Sequence, residues 1–144
     1  MLLGEHAHAL DDKNRVTLPA KFRQEFSSGV FVARGIDPCL LVYPPDGWNR
    51  FVEERMAGLS PFSREARQMS RHVFANAIET GLDKQGRIML PTSLLEHANL
   101  EREVVVAGVN DHLELWEPAA WRRELDDVGR SVDRVAEHLA ATEI

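Results

Sequence analysis

The stretch Leu10-Asp11-Asp12-Lys13-Asn14-Arg15-Val16-Thr17-Leu18-Pro19 recurs as Leu82-Asp83-Lys84-Gln85-Gly86-Arg87-Ile88-Met89-Leu90-Pro91, at an offset of 72 in a chain of 144 residues. After a one-residue slip the match continues: Gly35 with Gly108, Leu40 with Leu113, Pro45 with Pro118 and Trp48 with Trp121. Tyr43 and Trp116 supply an aromatic at a further matched place. An ordered set of this kind is the signature of an internal repeat, which dictates how the rest of the chain is read.

Each half reads as one β-α-β-β unit. Ala7 to Leu10 is a short strand entering a turn, and Arg15 to Leu18 leaves it with β-branched residues suited to strands. Pro19 suits the first turn of a helix, where its missing N–H costs nothing, so Pro19 to Phe26 is a predicted helix. Val30 to Ala33 and Cys39 to Tyr43 are predicted strands around a Gly35-Ile36-Asp37-Pro38 turn. Asp46 is placed to cap a helix beginning near Gly47. The second half repeats the order, with a Pro91 helix to about Ala98 and strands at Val104 to Val106 and Leu113 to Trp116.

Two units this small, neither able to bury its own apolar faces, should intertwine around a shared core as a pseudo-twofold barrel. The expected class is α+β, mainly β, with two pseudo-symmetric βαββ repeats and flanking amphipathic helices. The divisions are 5–48 for the first repeat, 49–75 for linking helices, 76–121 for the second repeat and 122–144 for a C-terminal helical tail. Trp48, Phe51, Val52, Met56 and Leu59 recur at helical spacing, as do Trp121, Leu125, Val128, Val132, Val135 and Leu139. Core packing is the expected role for Trp48 and Trp121. The C-terminal stripe outruns the repeat and has two readings, core packing or a seat on a neighbouring subunit.

The chain carries a net charge of −6, so it lacks the excess of cations with which a protein coats nucleic acid indiscriminately. A local basic face is a different matter. Lys13, Arg15, Lys21 and Arg23 cluster early and Arg64, Arg67 and Arg71 midway, while the stretch after Glu117 is mostly acidic. No apolar run approaches the roughly 18 residues that span a bilayer. The start lacks the pattern of a secretory signal, and a single cysteine allows no intrachain disulfide, so a cytoplasmic location is expected.

The sharpest feature is the duplicated Asp-x-x-x-Arg: Asp11 with Arg15, and Asp83 with Arg87. Gly86 beside strand signals makes this a tight turn rather than a helical ion pair, and Asn14 tolerates the same left-handed conformation. Asp11 and Asp83 can then accept backbone N–H bonds and brace the arginine, presenting a fork suited to guanine edges or phosphate oxygens. The competing reading is a pair of turn staples, which duplication alone does not dismiss. The basic company of Lys13, Lys84, Lys21 and Arg23 favours the former.

The residues Gly4, Leu10-Asp11, Lys13, Arg15, Leu18-Pro19, Lys21-Phe22-Arg23, Asp83 to Ile88, Leu90-Pro91 and Glu114-Leu115-Trp116 resemble the MraZ family. That family is a two-repeat relative of the AbrB and SpoVT DNA-binding domains, and the match runs in order to about Trp121. The resemblance implies a double-psi-like, AbrB-like barrel shared by both repeats. It also implies a homo-oligomeric ring that binds double-stranded promoter DNA at short direct repeats. Such a nucleoid-associated regulator would repress its own promoter ahead of a cell-division and cell-wall gene cluster. It assigns DNA contact to Arg15 and Arg87, with Lys13 and Lys84 beside them and Asp11, Asp83, Asn14 and Gly86 bracing the loops. The first loop departs from the family pattern in having Asn14 for glycine and Asp12 for an uncharged residue.

Other classes rank lower. A carboxylate dyad of Asp11 and Asp83 is opposed by the Lys and Arg that follow each, and no nucleophile elbow, P-loop or zinc-protease motif occurs. No catalytic residue, cofactor, metal or small-molecule substrate is therefore expected. His6 and His8 share a strand face without a third ligand nearby. Cys39 reads as a small buried filler. An antitoxin-like interaction barrel is the alternative function, opposed by the second full repeat.

Overall fold

A computed structural model describes residues 1–142 of the chain. The first half contains β1 (Leu2–Ala9), β2 (Arg15–Thr17), a 3-10 helix (Ala20–Phe26), β3 (Val30–Arg34) and β4 (Leu40–Tyr43). A link follows, made of α1 (Pro45–Phe51), a π-helical continuation over Val52–Met56, and α2 (Arg64–Phe74). The second half contains β5 (Ile78–Thr80), β6 (Arg87–Met89), α3 (Thr92–His97), β7 (Glu103–Asn110) and β8 (Leu113–Trp116), and α4 (Pro118–Thr142) follows. The class is α+β with a predominance of strands, all paired antiparallel.

The strands form a six-stranded sheet in the order β1-β7-β8-β4-β3-β5 and a separate two-stranded ribbon, β2-β6. Read by repeat, the order is a palindrome. The opening strand of each half lies against the third long strand of the other, β1 on β7 and β5 on β3. At the centre β4 meets β8, with Leu41 opposite its repeat mate Glu114. In the ribbon Val16 faces its repeat mate Ile88. Both self-pairings lie on one pseudo-twofold axis, so the halves are intertwined rather than stacked.

The hydrogen-bonded ladders do not close into a ring. The ribbon joins the sheet through a single bridge, Leu10 to Val16. Leu18 N–H donates to Gly86 O and Leu90 N–H to Asn14 O, both 2.9 Å, and then Pro19 and Pro91 follow with no N–H to extend the ladder. The barrel expected from the repeats is thus an open sheet with a short ribbon laid across its inner face. Val16 and Ile88 from the ribbon pack with Val32, Leu40, Val42, Val106, Leu113 and Leu115 from the sheet in one buried core. Those sheet residues alternate along their strands, as a half-buried sheet requires.

Three local expectations are corrected. β1 runs from Leu2, well before the predicted Ala7, because β7 of the other half pairs it along its length from Asn110 to Glu103. The helix predicted near Gly47 starts at Pro45, with Pro44 as its cap residue and Asp46 in the first turn, where its charge favours the helix dipole. The Pro19 helix is a 3-10 helix that begins at Ala20 and buries Phe22 and Phe26.

The outer face of β3 and β4 is covered by α1 and α2. Trp48 stacks on Phe31 at 5.2 Å between ring centroids, in a cluster with Ala33, Tyr43 and Val73. Trp48 is therefore a core residue, as expected. Its repeat mate Trp121 is only partly buried. Its indole N–H donates to Glu5 at 2.8 Å and its ring lies 5.5 Å from Trp116, so it fastens the start of α4 to the sheet.

His112 adds a pH-sensitive contact on this face. It stacks on Tyr43, and its two ring nitrogens lie 2.7 Å from Asp111 Oδ1 and 3.3 Å from Glu114 Oε2. Burial alone would lower its pKa, but hydrogen bonds that its ring donates to Glu114 and Asp111 outweigh that and raise it above the ordinary 6.5. Only the protonated ring can donate from both nitrogens. Its stabilising contribution is therefore complete below pH 6.5 and is lost as pH rises through the elevated value. Urea midpoints should fall between about pH 6 and about pH 8, and His112→Gln should flatten that fall. An unchanged pH dependence in the variant would show that His112 contributes nothing to it.

Candidate nucleic-acid interface

The two Asp-x-x-x-Arg segments fold as the same tight turn. Asn14 and Gly86 hold positive φ values of 58° and 76°. Asp11 N–H donates to Arg15 O and Asn14 N–H to Asp11 O; Asp83 N–H and Gly86 N–H repeat both bonds with Arg87 and Asp83. In the first loop, Asp11 Oδ1 accepts from the backbone N–H groups of Lys13 and Arg15, each at 2.9 Å. Its Oδ2 accepts from Arg15 Nε at 2.7 Å. The second loop reproduces this with Asp83, Gln85 and Arg87 at the same distances.

Partial desolvation pushes the Asp11 carboxyl up, but hydrogen bonds from Arg15 and Lys13 win and hold it at about 2. For Asp83 the Arg87 backbone bond is the largest influence and also lowers it. Both carboxylates are thus ionised throughout the neutral range. Each arginine is pinned at Nε, and Arg87 Nη2 is engaged as well, by Gln85 Oε1. The side-chain exposures of 25% for Arg15 and 26% for Arg87 are nearly equal, so neither loop is hidden.

The ribbon decides where these forks point. Its register sets Arg15 opposite Met89 and Thr17 opposite Arg87. Side chains alternate across a strand, so these four share the face opposite the buried Val16 and Ile88. The two arginines stand on the diagonal of that face, with Cα atoms roughly 7–8 Å apart. Thr17 and the exposed Met89 lie between them. A two-stranded ribbon with its polar face outward has the dimensions of a body that enters a DNA major groove.

Lys13 and Lys84 are both exposed, but they are not repeat equivalents. Lys13 stands where Gln85 stands, and Lys84 where Asp12 stands. Gln85 Oε1 accepts from Arg87 Nη2 at 3.1 Å, a brace that the first loop lacks.

Arg23 is a residue whose placement the sequence did not reveal. It belongs to the first repeat, but its side chain lies against the second loop: a Cβ added at Gly86 would sit 2.3 Å from Arg23 Nε. Arg23 Nε also donates to Leu18 O at 3.1 Å. The matching place in the second repeat holds Leu95. The Asn14 loop instead borders a depression lined by Leu95, Glu96, Asn99 and Glu101. The second loop is therefore the more cationic, and two differences between the repeats signal it in the sequence: Lys84 in place of Asp12, and Leu95 where the first repeat has Arg23.

Arg64, Arg67 and Arg71 stand apart from this face. They lie on α2, whose Val73 and Met69 pack on the outer side of the sheet, and Arg67 donates to Pro61 O at 3.0 Å. Cys39 is buried, with its thiol pushed up by desolvation, and no group of three or more metal-ligating side chains occurs among the described residues. Nor is any helix among them long and apolar enough to cross a membrane.

The chain matches the family model of the MraZ protein twice, over residues 1–72 and 73–138; its description adds an antitoxin-like label. It is 42% identical over 139 residues to the transcriptional regulator MraZ of Caldicellulosiruptor saccharolyticus, covering 96% of each chain. The regulators of the same name from Pediococcus pentosaceus and Thermomicrobium roseum are 40% and 41% identical. Those alignments cover 96% of both chains in the first case, and 97% of this chain and 98% of the relative in the second.

Proposed function

The chain belongs to the MraZ family of transcriptional regulators, and on that premise we propose that it binds double-stranded DNA through the β2-β6 ribbon. Arg15 and Arg87 read base edges from the two braced loops, while Lys13 and Lys84 contact flanking phosphates. The site is short, and several copies assembled as a homo-oligomeric ring engage a run of direct repeats in the protein's own promoter. Binding there represses a cell-division and cell-wall gene cluster, in the cytoplasm and on the nucleoid.

The observation that carries this reading is the shared outer face of Arg15 and Arg87, each pinned by its own aspartate. A pinned guanidinium loses little further freedom on binding, so its remaining donors act at low entropic cost. The ring answers the net charge of −6: one ribbon offers few phosphate contacts, and repeated ribbons on repeated sites gain by avidity. The named relatives are transcriptional regulators, which agrees with a site built of ion-paired loops.

The test is titration of the full chain against a labelled duplex from its own upstream region and a scrambled duplex of equal length, at low and moderate salt. Preference for the upstream duplex that weakens with salt is the expected result. Equal affinity for both duplexes would leave the loops as turn staples and direct attention to protein partners.

A further inference from the structure

The outer face of the β2-β6 ribbon carries four side chains, and its two halves differ. Arg15 stands opposite Met89 and Thr17 opposite Arg87, so the pseudo-twofold axis that exchanges the two arginines also exchanges a threonine for a methionine. Met89 is 61% exposed and belongs to neither buried cluster, whereas Thr17 is partly buried. A lone exposed methionine needs no special explanation in itself. Its position is what matters here. Met89 is the one apolar side chain among the four, on the face where both braced arginines stand.

Base edges in the major groove present donors and acceptors, and the 5-methyl group of thymine is the apolar exception. Residues directly opposite on antiparallel strands have Cβ atoms roughly 5 Å apart. Successive bases on one DNA strand are about 3.4 Å apart. An arginine on one base edge therefore brings the residue opposite it over a neighbouring base pair. The reach of the two side chains is also matched: Asp11 holds Arg15 at Nε, and methionine extends to its ε carbon, whereas threonine stops at its γ atoms. The unbranched, polarizable thioether of methionine adapts readily to an apolar surface. On the other half of the ribbon, Gln85 engages Arg87 Nη2, a brace that the Arg15 loop lacks.

We propose that Met89 is a specificity residue that reads the 5-methyl group of a thymine in the major groove, beside the base pair contacted by Arg15. The two cations flanking it commit this apolar side chain to a polyanion rather than to an apolar protein surface. The contact also gives the ribbon a direction. Two equivalent arginine loops on a twofold axis would read a site equally well in either orientation. Methionine on one half and threonine on the other make the preferred site asymmetric, so each ribbon settles one way round. Direct repeats, whose copies all run in the same direction, require that polarity. This role rests on the DNA-binding reading of the ribbon, and the experiment separates the two.

The full chain and its Met89→Ala variant are each titrated, at one salt concentration, against the labelled upstream duplex and against the same duplex with deoxyuridine in place of every thymidine. That exchange removes the 5-methyl groups and keeps every base-pairing donor and acceptor. Wild type should bind the deoxyuridine duplex at least about fourfold more weakly, the equivalent of one methyl left unburied. Met89→Ala should lose a similar factor on the native duplex and little more on the deoxyuridine duplex, because side chain and methyl are the two halves of one contact. Met89→Leu, which keeps an apolar tip, should recover most of the loss. Thermal melts of the Met89 variants should match wild type, since the side chain lies outside the core. Two results would overturn the role of Met89 while the upstream duplex is still preferred over a scrambled one. The first is equal wild-type affinity for the thymidine and deoxyuridine duplexes. The second is the same fold-loss on deoxyuridine in wild type and Met89→Ala, which would assign the methyl dependence to duplex shape or to another residue. If wild type did not prefer the upstream duplex to the scrambled one, the DNA-binding reading would fall as well.

Discussion

Alanine at both Arg15 and Arg87 is expected to reduce affinity for the upstream duplex by at least about thirty-fold while leaving the fold intact. Each well-placed arginine-to-base contact contributes roughly 1–3 kcal/mol of discrimination, so losing two costs about 2–6 kcal/mol, and a repeated assembly multiplies the effect. Folding should survive because both side chains lie on the outer face, away from the core. The aspartates retain their bonds to the backbone N–H groups, which keep the turns closed without the guanidinium. The measurement is equilibrium titration at fixed salt, with a thermal melt of each variant. Lys13→Ala and Lys84→Ala serve as the contrast. They should weaken upstream and scrambled duplexes alike and shallow the salt dependence by about one unit per lost phosphate contact. If the double variant kept its preference for the upstream duplex, sequence would be read elsewhere on the molecule.

The second large effect concerns Gly108. It lies in β7 directly opposite Gly4 of β1, and a Cβ there would fall 2.5 Å from Leu3 N and 2.6 Å from Leu2 C. Backbone cannot swing aside as a side chain can. Gly108→Ala should force β1 away from β7 and cost about 3 kcal/mol, the upper part of the range for overpacking. Because β1 is an edge strand whose Leu2 is fully buried, the loss reaches the core directly. Gly81→Ala is the control, since a Cβ there meets nothing within 4 Å. Urea unfolding of the two variants at one protein concentration should show a large fall in midpoint for the first and little change for the second. A near-native midpoint for Gly108→Ala would show that the strand pair yields easily.

Gly108 also illustrates how partial the sequence reading was. Its match with Gly35 marked it as a repeat residue, but the two glycines are required for different reasons. At Gly35 a Cβ would strike Cys39 Sγ at 2.8 Å, across a turn within one half. At Gly108 the obstacle is the other half of the chain. Local sequence encodes the first constraint; the second exists only once β1 has crossed over.

The same division runs through the rest of the protein. The sequence alone determined the repeat, the α+β class, the left-handed turns at Asn14 and Gly86 and the pairing of each aspartate with its arginine. The turns and the ion pairs depend on residues within five positions of one another, where backbone sterics and short hydrogen bonds decide the outcome. The C-terminal stripe was legible too, because helical periodicity is local; its solvent exposure was not. Only the tertiary structure decided that β1 belongs with β7 and β5 with β3, that the ribbon lies across an open sheet, and that Arg15 and Arg87 share one face. Arg23 against Gly86 is of the same kind. Each of these joins residues from opposite halves, brought together by burial of a common core. Burial of that kind is non-directional and leaves no mark on the spacing of residues along the chain.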